Sequence, residues 1–410
     1  MVLILEEEFH PLSQNPLDWT DEQLGFLDAF KDAKVIGLGE ATHGSKEFFD
    51  SKHRIFKYLV ENHGLKVFAF EADFGESIFL NEAILEGNTS QIKDLMLSKM
   101  HFWTWKTTEV QQLLEWMSNY NHGKNDEDKI HYMGIDCQFN TYHPIQVKEY
   151  LEQTNQALNG YSKDILDEVV TNSTSRYASL SQIEYEDLLK RIENLIDSVN
   201  ASKLQLITNS SLKEFQLHTQ ILNVMKQSLT VGYKSSKKEY SINYRDKYMA
   251  KNVEWLMDYF ENSKIAVWAH NYHVANKPEG TGGSMGFHLV QSLDQDYKIL
   301  GFSFSSGSFT AVGMEGEEFT SLQTHTISQE PQTGSLNEIF SRSTKDVFGV
   351  SIDDLISYTY WDEIFNSDLI MLELGAVYNR DPAQYYSHIK RSHFNSIIYF
   401  EKTKASVILK

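Results

Sequence analysis

Ionisable side chains follow several short apolar runs along this chain. The first run begins at Val35 and ends on Glu40, with His43 three residues further on. Such runs are too short for a helix and are typical of buried parallel strands, which deliver the next side chain to the carboxyl edge of a sheet. Open α/β sheets keep their active sites at that edge. The side chains at predicted strand ends are those of Glu40, His43, Glu71, Asp136, His270 and His273.

Histidines beside carboxylates are the components of a general acid–base site. An imidazole titrates near neutrality, and a carboxylate can fix its tautomer and raise its basicity. If these strands are neighbours in one parallel sheet, the six side chains converge, and this favours a hydrolase. Each residue also has a plainer interpretation. Asp136 can cap the next element, and His270 or His273 can be a hydrogen-bonded histidine of the core.

Two further patterns compete with this interpretation. Residues 282–286 fit G-x-S-x-G, but a nucleophile elbow needs a strand running directly into Ser284, and here the predicted strand stops near Ala269. We therefore do not expect Ser284 to be a nucleophile. The pair His270-x-x-His273, with Glu40-x-x-His43 and Glu71, contains ligand types that suit zinc or manganese. Its spacing is not H-E-x-x-H, and the sequence does not separate metal-activated from histidine-activated water.

The elements that must position these residues follow from periodicity. Residues 145–260 lack proline, and Leu, Ile, Lys, Glu and Gln recur there at helical spacing, which predicts a helical lobe inserted into an α/β frame. The fold class is therefore α/β, a three-layer sandwich with a largely parallel central sheet, in one domain over 1–410. Predicted strands are 34–39, 66–70, 130–135, 264–269, 298–304 and 368–373. Predicted helices outside the lobe are 45–62, 76–86, 92–122 and 286–293.

Composition limits the classes of partner. The chain has 410 residues and a formal charge of −20, which disfavours binding to nucleic acid or to an anionic membrane through a general basic surface. Its one cysteine, Cys137, excludes an intramolecular disulfide and a multi-cysteine zinc site. The apolar run at residues 1–5 is too short for a signal peptide and is followed by acidic residues. We expect a cytoplasmic protein with a small-molecule substrate; the sequence leaves its oligomeric state open.

The motifs together resemble the erythromycin esterase family, in order and at similar separations, from about residue 30 to residue 310. The resemblance implies hydrolytic opening of the macrolide lactone, and hence macrolide resistance, with no cofactor and no covalent intermediate. The alternatives are a metal-dependent hydrolase using the same histidines and carboxylates, and a non-enzymatic small-molecule binding protein. The resemblance is carried by residues 37–49, 70–71, 134–136, 245–250, 269–273 and 285–286.

The resemblance also implies roles for individual residues. It makes His43 the general base, with Glu40 and Glu71 beside it, and we expect Glu71 to accept a hydrogen bond from its imidazole. His270 and His273 complete the polar site. The family's best-known members have arginine at the position of Lys52, which keeps the charge but lacks the planar fork. The substrate-binding residues we expect are Lys52, Arg54, Asp136, Trp103, Trp105 and Met285.

Overall fold

The computed structural model describes residues 6–170, 174–237, 241–279 and 282–410. The apolar run at residues 1–5 lies outside the described residues, as do residues 280 and 281 of the loop before Ser284. The strands are β1 (His10–Pro11), β2 (Val35–Leu38), β3 (Val67–Asp73), β4 (His131–Asp136), β5 (Ile265–Trp268), β6 (Pro278–Glu279), β7 (Gly282–Gly283), β8 (Tyr297–Glu315), β9 (Glu318–Ile327), β10 (Val347–Ser351), β11 (Ile370–Leu372), β12 (Val377–Tyr378), β13 (Tyr386–His388) and β14 (Ser396–Thr403).

The helices alternate with these strands early in the chain and dominate its middle. Short 3₁₀ turns connect several of them, including one at Trp103–Trp105. The helices are α1 (Asp21–Leu24), α2 (Lys46–His63), α3 (Phe74–Glu86), α4 (Ile92–Lys99), α5 (Thr108–Asn121), α6 (His143–Thr154), α7 (Gln156–Val170), α8 (Thr174–Ser179), α9 (Gln182–Ala201), α10 (Lys203–Asn209), α11 (Leu212–Ser236), α12 (Ser241–Tyr259), α13 (Asn271–Val274), α14 (Met285–Leu293), α15 (Leu336–Phe340), α16 (Ile352–Leu355) and α17 (Thr359–Phe365).

The central sheet is mostly parallel, with strand order β1-β10-β14-β8-β2-β5-β3-β4. The pairs β14–β8, β8–β2, β2–β5 and β5–β3 are parallel, whereas β1, β10 and β9 pair antiparallel. The residues of β2, β3 and β5 are all buried, as the continuous apolar runs predict for strands covered on both faces. A mixed α/β fold with a largely parallel sheet is thereby confirmed. The three-layer arrangement stays a prediction.

Helix α2 packs on this sheet through aromatic side chains. The ring centroid of Phe49 lies 5.0 Å from that of Trp268, and the ring of Phe56 stacks on Phe68 at 4.2 Å. The helix ends at Gly64, whose φ of 71° is left-handed and favours glycine. The apolar residues at helical spacing and the glycine that follows them both predict this helix. The predicted helix 45–62 is confirmed within one residue at each end.

Several predicted elements differ from the structure. The predicted helix 92–122 is two helices, because the segment 100–107 includes an extended residue, Met100, and the 3₁₀ turn. The predicted strand 298–304 continues to Glu315, since β14 and β9 supply hydrogen-bonding partners along its length. The predicted strand 368–373 is the shorter β11, which pairs with β13 in a separate two-stranded sheet. Glu71 also lies within β3 rather than after its end.

The chain divides into two compact units. The first comprises Met1–Phe70, Ala83–Tyr132 and Ser263–Lys410, and the second comprises Glu71–Glu82 and Met133–Asn262. The predicted helices of 145–260 are present as α6 to α12 in the second unit. Whether the chain is one domain over 1–410 with a lobe at about 145–260 stays a prediction. No helix in the described part of the chain combines the length and apolarity needed to cross a bilayer.

Candidate active site

Sheet register brings two of the predicted residues together in the first unit. Strands β2 and β5 are parallel neighbours, and Leu38 pairs with Trp268. Two residues beyond that pair, the chain reaches Glu40 on one side and His270 on the other, and the N–H of Asn271 donates to the carbonyl of Glu40 at 2.9 Å. The carboxyl ends of these two strands therefore meet, as the sequence predicts.

A chain of hydrogen bonds joins Trp268, Glu40 and His43. The indole Nε1–H of Trp268 donates to Oε2 of Glu40 at 2.7 Å. The other carboxylate oxygen, Oε1, lies 2.7 Å from Nδ1 of His43. The Glu40 side chain is fully buried, whereas 14% of the His43 side chain is exposed. A buried carboxylate thus holds an imidazole that solvent can reach.

This arrangement selects one tautomer of His43. An ionised Glu40 can only accept hydrogen bonds, so Nδ1 of His43 carries the proton and donates it. Nε2 is left with the lone pair and can accept a proton from water. The hydroxyl of Thr104 donates to the backbone carbonyl of His43 at 2.7 Å and fixes the main chain beneath the ring. The ring of His43 is thereby oriented with its lone pair on Nε2, and its role as the general base stays a prediction.

His270 is held in the complementary tautomer. Its Nδ1 accepts the backbone N–H of Tyr272 at 3.2 Å, so Nε2 carries the proton and donates to the carbonyl of Leu374 at 3.0 Å. Its ring centroid lies 5.1 Å from that of His43. His273 lies on the short helix α13 and is 6% exposed. The structure therefore brings His270 beside His43, and the predicted catalytic part of His273 stays a prediction.

Lys52 is a buried amine close to the same residues. Its side chain is fully buried, and Nζ lies 3.4 Å from the ring centroid of Phe302 and 5.7 Å from that of Trp268. Among the described residues, Nζ has no hydrogen-bond partner. Burial lowers the pKa of Lys52 to about 7, although the charge of Glu40 opposes this shift. A fully buried Nζ has no surface to offer a substrate in this conformation.

Arg54 is hydrogen-bonded to residues that precede β2 rather than to Glu40 or His43. Its Nε donates to the carbonyl of Trp19 at 2.7 Å, and Nη2 pairs with the carboxylate of Asp21. These contacts tie α2 to the segment before it. The structure does not bring the guanidinium together with Glu40 and His43, and its predicted role in substrate binding stays a prediction.

The aromatic residues and methionine predicted to contact substrate are largely buried. Trp105 has no exposed surface, and its ring centroid lies 5.2 Å from that of Trp268 and 5.0 Å from that of Phe70. Met285, the first residue of α14, is also fully buried. Trp103 is half-buried. Trp105 therefore supports the indole that holds Glu40, and substrate contact by these residues stays a prediction.

Glu71 and Asp136 share one cation in the second unit. Arg245 donates from Nε and Nη2 to the two oxygens of Asp136, at 3.0 and 2.8 Å, and from Nη2 to Oε1 of Glu71 at 2.6 Å. Burial works against the charge of Arg245, but the two carboxylates outweigh it and raise the pKa of Arg245 well above its usual range. The predicted hydrogen bond from His43 to Glu71 stays a prediction; the carboxylate that the structure pairs with His43 is Glu40.

Two residues of these clusters were not singled out by the sequence analysis. Arg245 stands inside one of the motifs that carry the family resemblance, which was its only signal. Trp268 carries an N–H at the end of an apolar strand, and a buried indole N–H requires an acceptor. That requirement indicates a polar neighbour but does not identify Glu40.

The glycines around Glu40 serve close backbone packing. A Cβ on Gly39 would lie 2.2 Å from Oδ1 of Asn271, and one on Gly44 would lie 2.0 Å from the carbonyl oxygen of Thr310. Real Cβ atoms do not approach so closely, so both positions require glycine. The neighbours that exclude a side chain at these positions are β8 and Asn271, the residue after His270.

Ser284 is a helix cap. Its hydroxyl accepts the N–H of Phe287 at 3.1 Å at the start of α14 and donates to the carbonyl of Ala275. A buried hydroxyl with these partners stabilises the start of the helix. Among the described residues, no group of three or more His, Cys, Asp or Glu side chains is arranged to hold a metal ion. Activity without a metal or cofactor stays a prediction.

Comparison with known proteins places the chain in a family. The family model described as erythromycin esterase matches residues 60–403. The chain belongs to the erythromycin esterase family. The match starts after His43, so the geometry of the Glu40–His43 pair comes from the structure rather than from the matched range. Membership indicates a hydrolase with a small-molecule substrate.

Two relatives of this erythromycin esterase family member are identical to it at about a quarter of the aligned residues. YbfO of Bacillus subtilis strain 168 is 26% identical over 374 residues, covering 83% of this chain and 79% of YbfO. Erythromycin esterase type II of Escherichia coli is 25% identical over 341 residues, covering 76% of this chain and 78% of its own length. A solved protein from Bacillus cereus has a TM-score of 0.87 at 22% identity, covering 99% and 98% of the two chains. This last likeness establishes the fold alone.

Proposed function

We propose that this protein is a macrolide esterase, which hydrolyses the lactone ring of erythromycin-like antibiotics with water activated by His43 and so confers macrolide resistance. The observation that carries the proposal is the hydrogen-bonded chain from Trp268 through Glu40 to His43. It supplies an oriented imidazole with its lone pair on Nε2, in a family whose named relatives include an erythromycin esterase.

The reaction follows from the tautomer of His43. Nε2 takes a proton from water while the water oxygen bonds to the lactone carbonyl carbon. The imidazolium that forms is stabilised by the Glu40 carboxylate, whose interaction strengthens as positive charge develops. The tetrahedral intermediate then expels the ring oxygen, which takes the proton back from Nε2. The products are a carboxylic acid and an alcohol in one opened chain, and no bond to the enzyme forms.

The burial of Glu40 supports this assignment. A fully buried carboxylate with both oxygens hydrogen-bonded needs no reorganisation when the charge on His43 appears. The formal charge of −20 adds a second, weaker support, because a negative field favours a cationic substrate such as a macrolide with an amino sugar.

Mass spectrometry of erythromycin incubated with the purified protein tests the proposal. We expect the macrolide to gain the mass of one water with the native protein and to remain unchanged with His43→Ala. A second sample, run in water enriched in ¹⁸O, should carry one label in the new carboxylate. An unchanged macrolide in the presence of the folded native protein would refute macrolide hydrolysis.

A further inference from the structure

Gly375 lies in a segment that hydrogen bonds hold from both sides. The N–H of Leu374 donates to the carbonyl of Ala41 at 2.7 Å, and the carbonyl of Ala376 accepts the N–H of Val312 at 2.9 Å. Strand β12 begins just after Ala376 and pairs in parallel with β8. Because both neighbours of Gly375 are bonded, the direction in which a side chain at this position would point is set by the fold.

That direction is toward the imidazole of His43. The nearest atom to a Cβ placed on Gly375 is Cδ2 of His43, at 4.0 Å, which is an ordinary van der Waals distance. Cδ2 is bonded to Nε2, the nitrogen that keeps the lone pair because Nδ1 is bonded to Glu40. Gly375 itself is partly exposed. Position 375 therefore faces the reactive edge of the proposed base.

Neither conformation nor packing requires glycine at this position. Gly375 is not among the residues with left-handed φ, so its backbone suits an ordinary L-residue. Gly39 and Gly44 differ, since a Cβ on either would clash with a neighbour. The missing side chain at 375 has one evident consequence, which is open space beside Cδ2 and Nε2 of His43.

We propose that Gly375 is a specificity-determining residue, whose missing side chain admits bulky esters and lactones to Nε2 of His43. The proposal deepens the proposed function and rests on it, because it takes His43 as the base. It predicts that larger side chains at position 375 reject bulky substrates first and small esters last.

A graded series of esters tests this proposal. Gly375→Ala, Gly375→Val and Gly375→Leu would be compared with the native protein on 4-nitrophenyl acetate, pivalate and benzoate and on erythromycin. We expect Gly375→Ala to stay within a few-fold of native on all four, because its Cβ makes an ordinary contact. We expect Gly375→Leu to lose on the order of 100-fold in kcat/KM on the bulky substrates and only a few-fold on the acetate.

A second measurement reports access to His43 without catalysis. Diethyl pyrocarbonate acylates an accessible unprotonated imidazole nitrogen, and the rate at His43 can be followed by mass spectrometry of its peptide. We expect Gly375→Leu to slow modification of His43 by at least about tenfold. The matched control is Gly25→Leu, since Gly25 is also half-buried, has an ordinary φ of −56° and has open space where a Cβ would lie.

The two measurements separate this inference from the proposed function. If the native protein hydrolyses none of the substrates but Gly375→Leu still protects His43, the proposed function fails and the control of access stands. Equal losses on small and bulky esters would overturn the inference. So would an unchanged modification rate at His43, or the same effects from Gly25→Leu.

Discussion

Two buried ionisable side chains near His43 have opposite surroundings. Glu40 accepts hydrogen bonds on both carboxylate oxygens, from the indole of Trp268 and from His43. Lys52 is equally buried, but its Nζ faces the rings of Phe302 and Trp268. Buried charges are costly unless they are paired and hydrogen-bonded. The carboxylate is therefore part of a hydrogen-bonded chain, whereas burial lowers the pKa of the amine to about 7.

The hydrogen bond between Glu40 and His43 predicts a kinetic signature. We expect Glu40→Gln to lower kcat and kcat/KM together and leave KM little changed, because it removes the charge that stabilises the imidazolium and disturbs the tautomer. His43→Ala should lose about 10²–10⁴-fold in rate. Steady-state kinetics on the native substrate or a nitrophenyl ester measures both.

Glu71→Gln is the matched comparison for that experiment. If Glu71→Gln shows the signature and Glu40→Gln does not, Glu71 is the carboxylate that orients the base, as the sequence analysis expects. A Glu40→Gln variant with native kcat would contradict the pairing of Glu40 with the catalytic imidazole.

Lys52 predicts a pH dependence of stability. Its pKa is lowered to about 7 in the folded state, below the value of an exposed lysine. Between pH 7 and about 10 the unfolded chain binds more protons at this residue, so the folded state gains stability as pH rises. Relative to Lys52→Met, the free energy of unfolding of the native protein should increase from pH 7 to pH 9, by at most about 1.4 kcal/mol per pH unit.

Urea denaturation at pH 6, 7, 8 and 9 measures this difference. Lys57→Met is the control, since Lys57 lies on the same helix but its side chain is 42% exposed. A flat difference between the native protein and Lys52→Met would mean that the amine keeps its ordinary pKa in the fold.

At the scale of elements, the polar side chains that follow β5 lie at the end of a strand and also cap short helices. Strand β5 ends beside β2 and delivers His270, which then caps α13 through its Nδ1. Ser284 caps α14 and binds the carbonyl of Ala275 just after α13. The ring of His270 is fixed next to His43 by one local hydrogen bond, from the N–H of Tyr272, and by one long-range hydrogen bond, to the carbonyl of Leu374.

Ser284→Ala should affect stability and spare activity. Loss of an N-cap hydroxyl typically costs about 0.5–2 kcal/mol, whereas a catalytic serine would lose activity almost completely. Thermal denaturation and kinetics of the same preparation separate the two, and serine-directed acylating reagents should leave Ser284 unlabelled. Thr107→Ala, at the cap of α5, is a matched control for the stability change. A trapped acyl group on Ser284 would contradict the non-covalent mechanism.

Arg245 of α12 binds Glu71 and Asp136, which both belong to the second unit. Arg245→Met would leave Glu71 and Asp136, which are 6% and 1% exposed at their side chains, without their shared cation. Removing one partner of a buried ion pair typically costs about 3–5 kcal/mol. Urea denaturation of Arg245→Met, Asp136→Asn and the double variant measures the coupling. We expect the double variant to lose less stability than the two single changes added together, and strict additivity would argue against the ion pair.

At the scale of the molecule, the described residues of each unit include a cluster of largely buried ionisable side chains. The first unit holds Glu40, His43 and Lys52, and the second holds Glu71, Asp136 and Arg245. The carboxylate of Glu40 is hydrogen-bonded to Trp268 and His43, and the carboxylates of Glu71 and Asp136 are hydrogen-bonded to Arg245.

The hydrogen bonds of the histidines and carboxylates lead us to predict that hydrolysis does not require a metal ion and survives treatment with a chelator. Both nitrogens of His270 are hydrogen-bonded to backbone groups, so His270 could bind a metal ion only by giving up one of these bonds. Nε2 of His43 keeps its lone pair, but among the described residues no group of three or more His, Cys, Asp or Glu side chains is arranged to complete a metal site. Activity after exhaustive treatment with EDTA and 1,10-phenanthroline, with metal analysis of the protein, checks this. Activity lost on chelation and restored by zinc or manganese would favour the metal-dependent alternative.

Local patterns in the sequence were enough to predict several strands and one helix. The apolar runs at β2, β3, β4 and β5 predict those strands, and the stripe that ends at Gly64 predicts α2 almost to the residue. These features depend on side-chain periodicity and on the backbone freedom of glycine, which act between near neighbours in the chain. The position of Glu40 and His43 after a buried strand follows from the same patterns.

Pairing between distant segments determined the strand lengths, the sheet membership and the hydrogen-bond partners that local sequence patterns do not predict. The extension of β8 to Glu315 depends on its hydrogen bonds with β14 and β9, and β11 joins β13 outside the central sheet. The register of β2 with β5 brings the indole of Trp268 to Glu40, which is also bonded to the imidazole of His43. The pairing of Glu71 with His43, which the sequence analysis expects, stays a prediction. Hydrogen-bond partners more than two hundred residues apart are chosen by strand order and register, which no local pattern encodes.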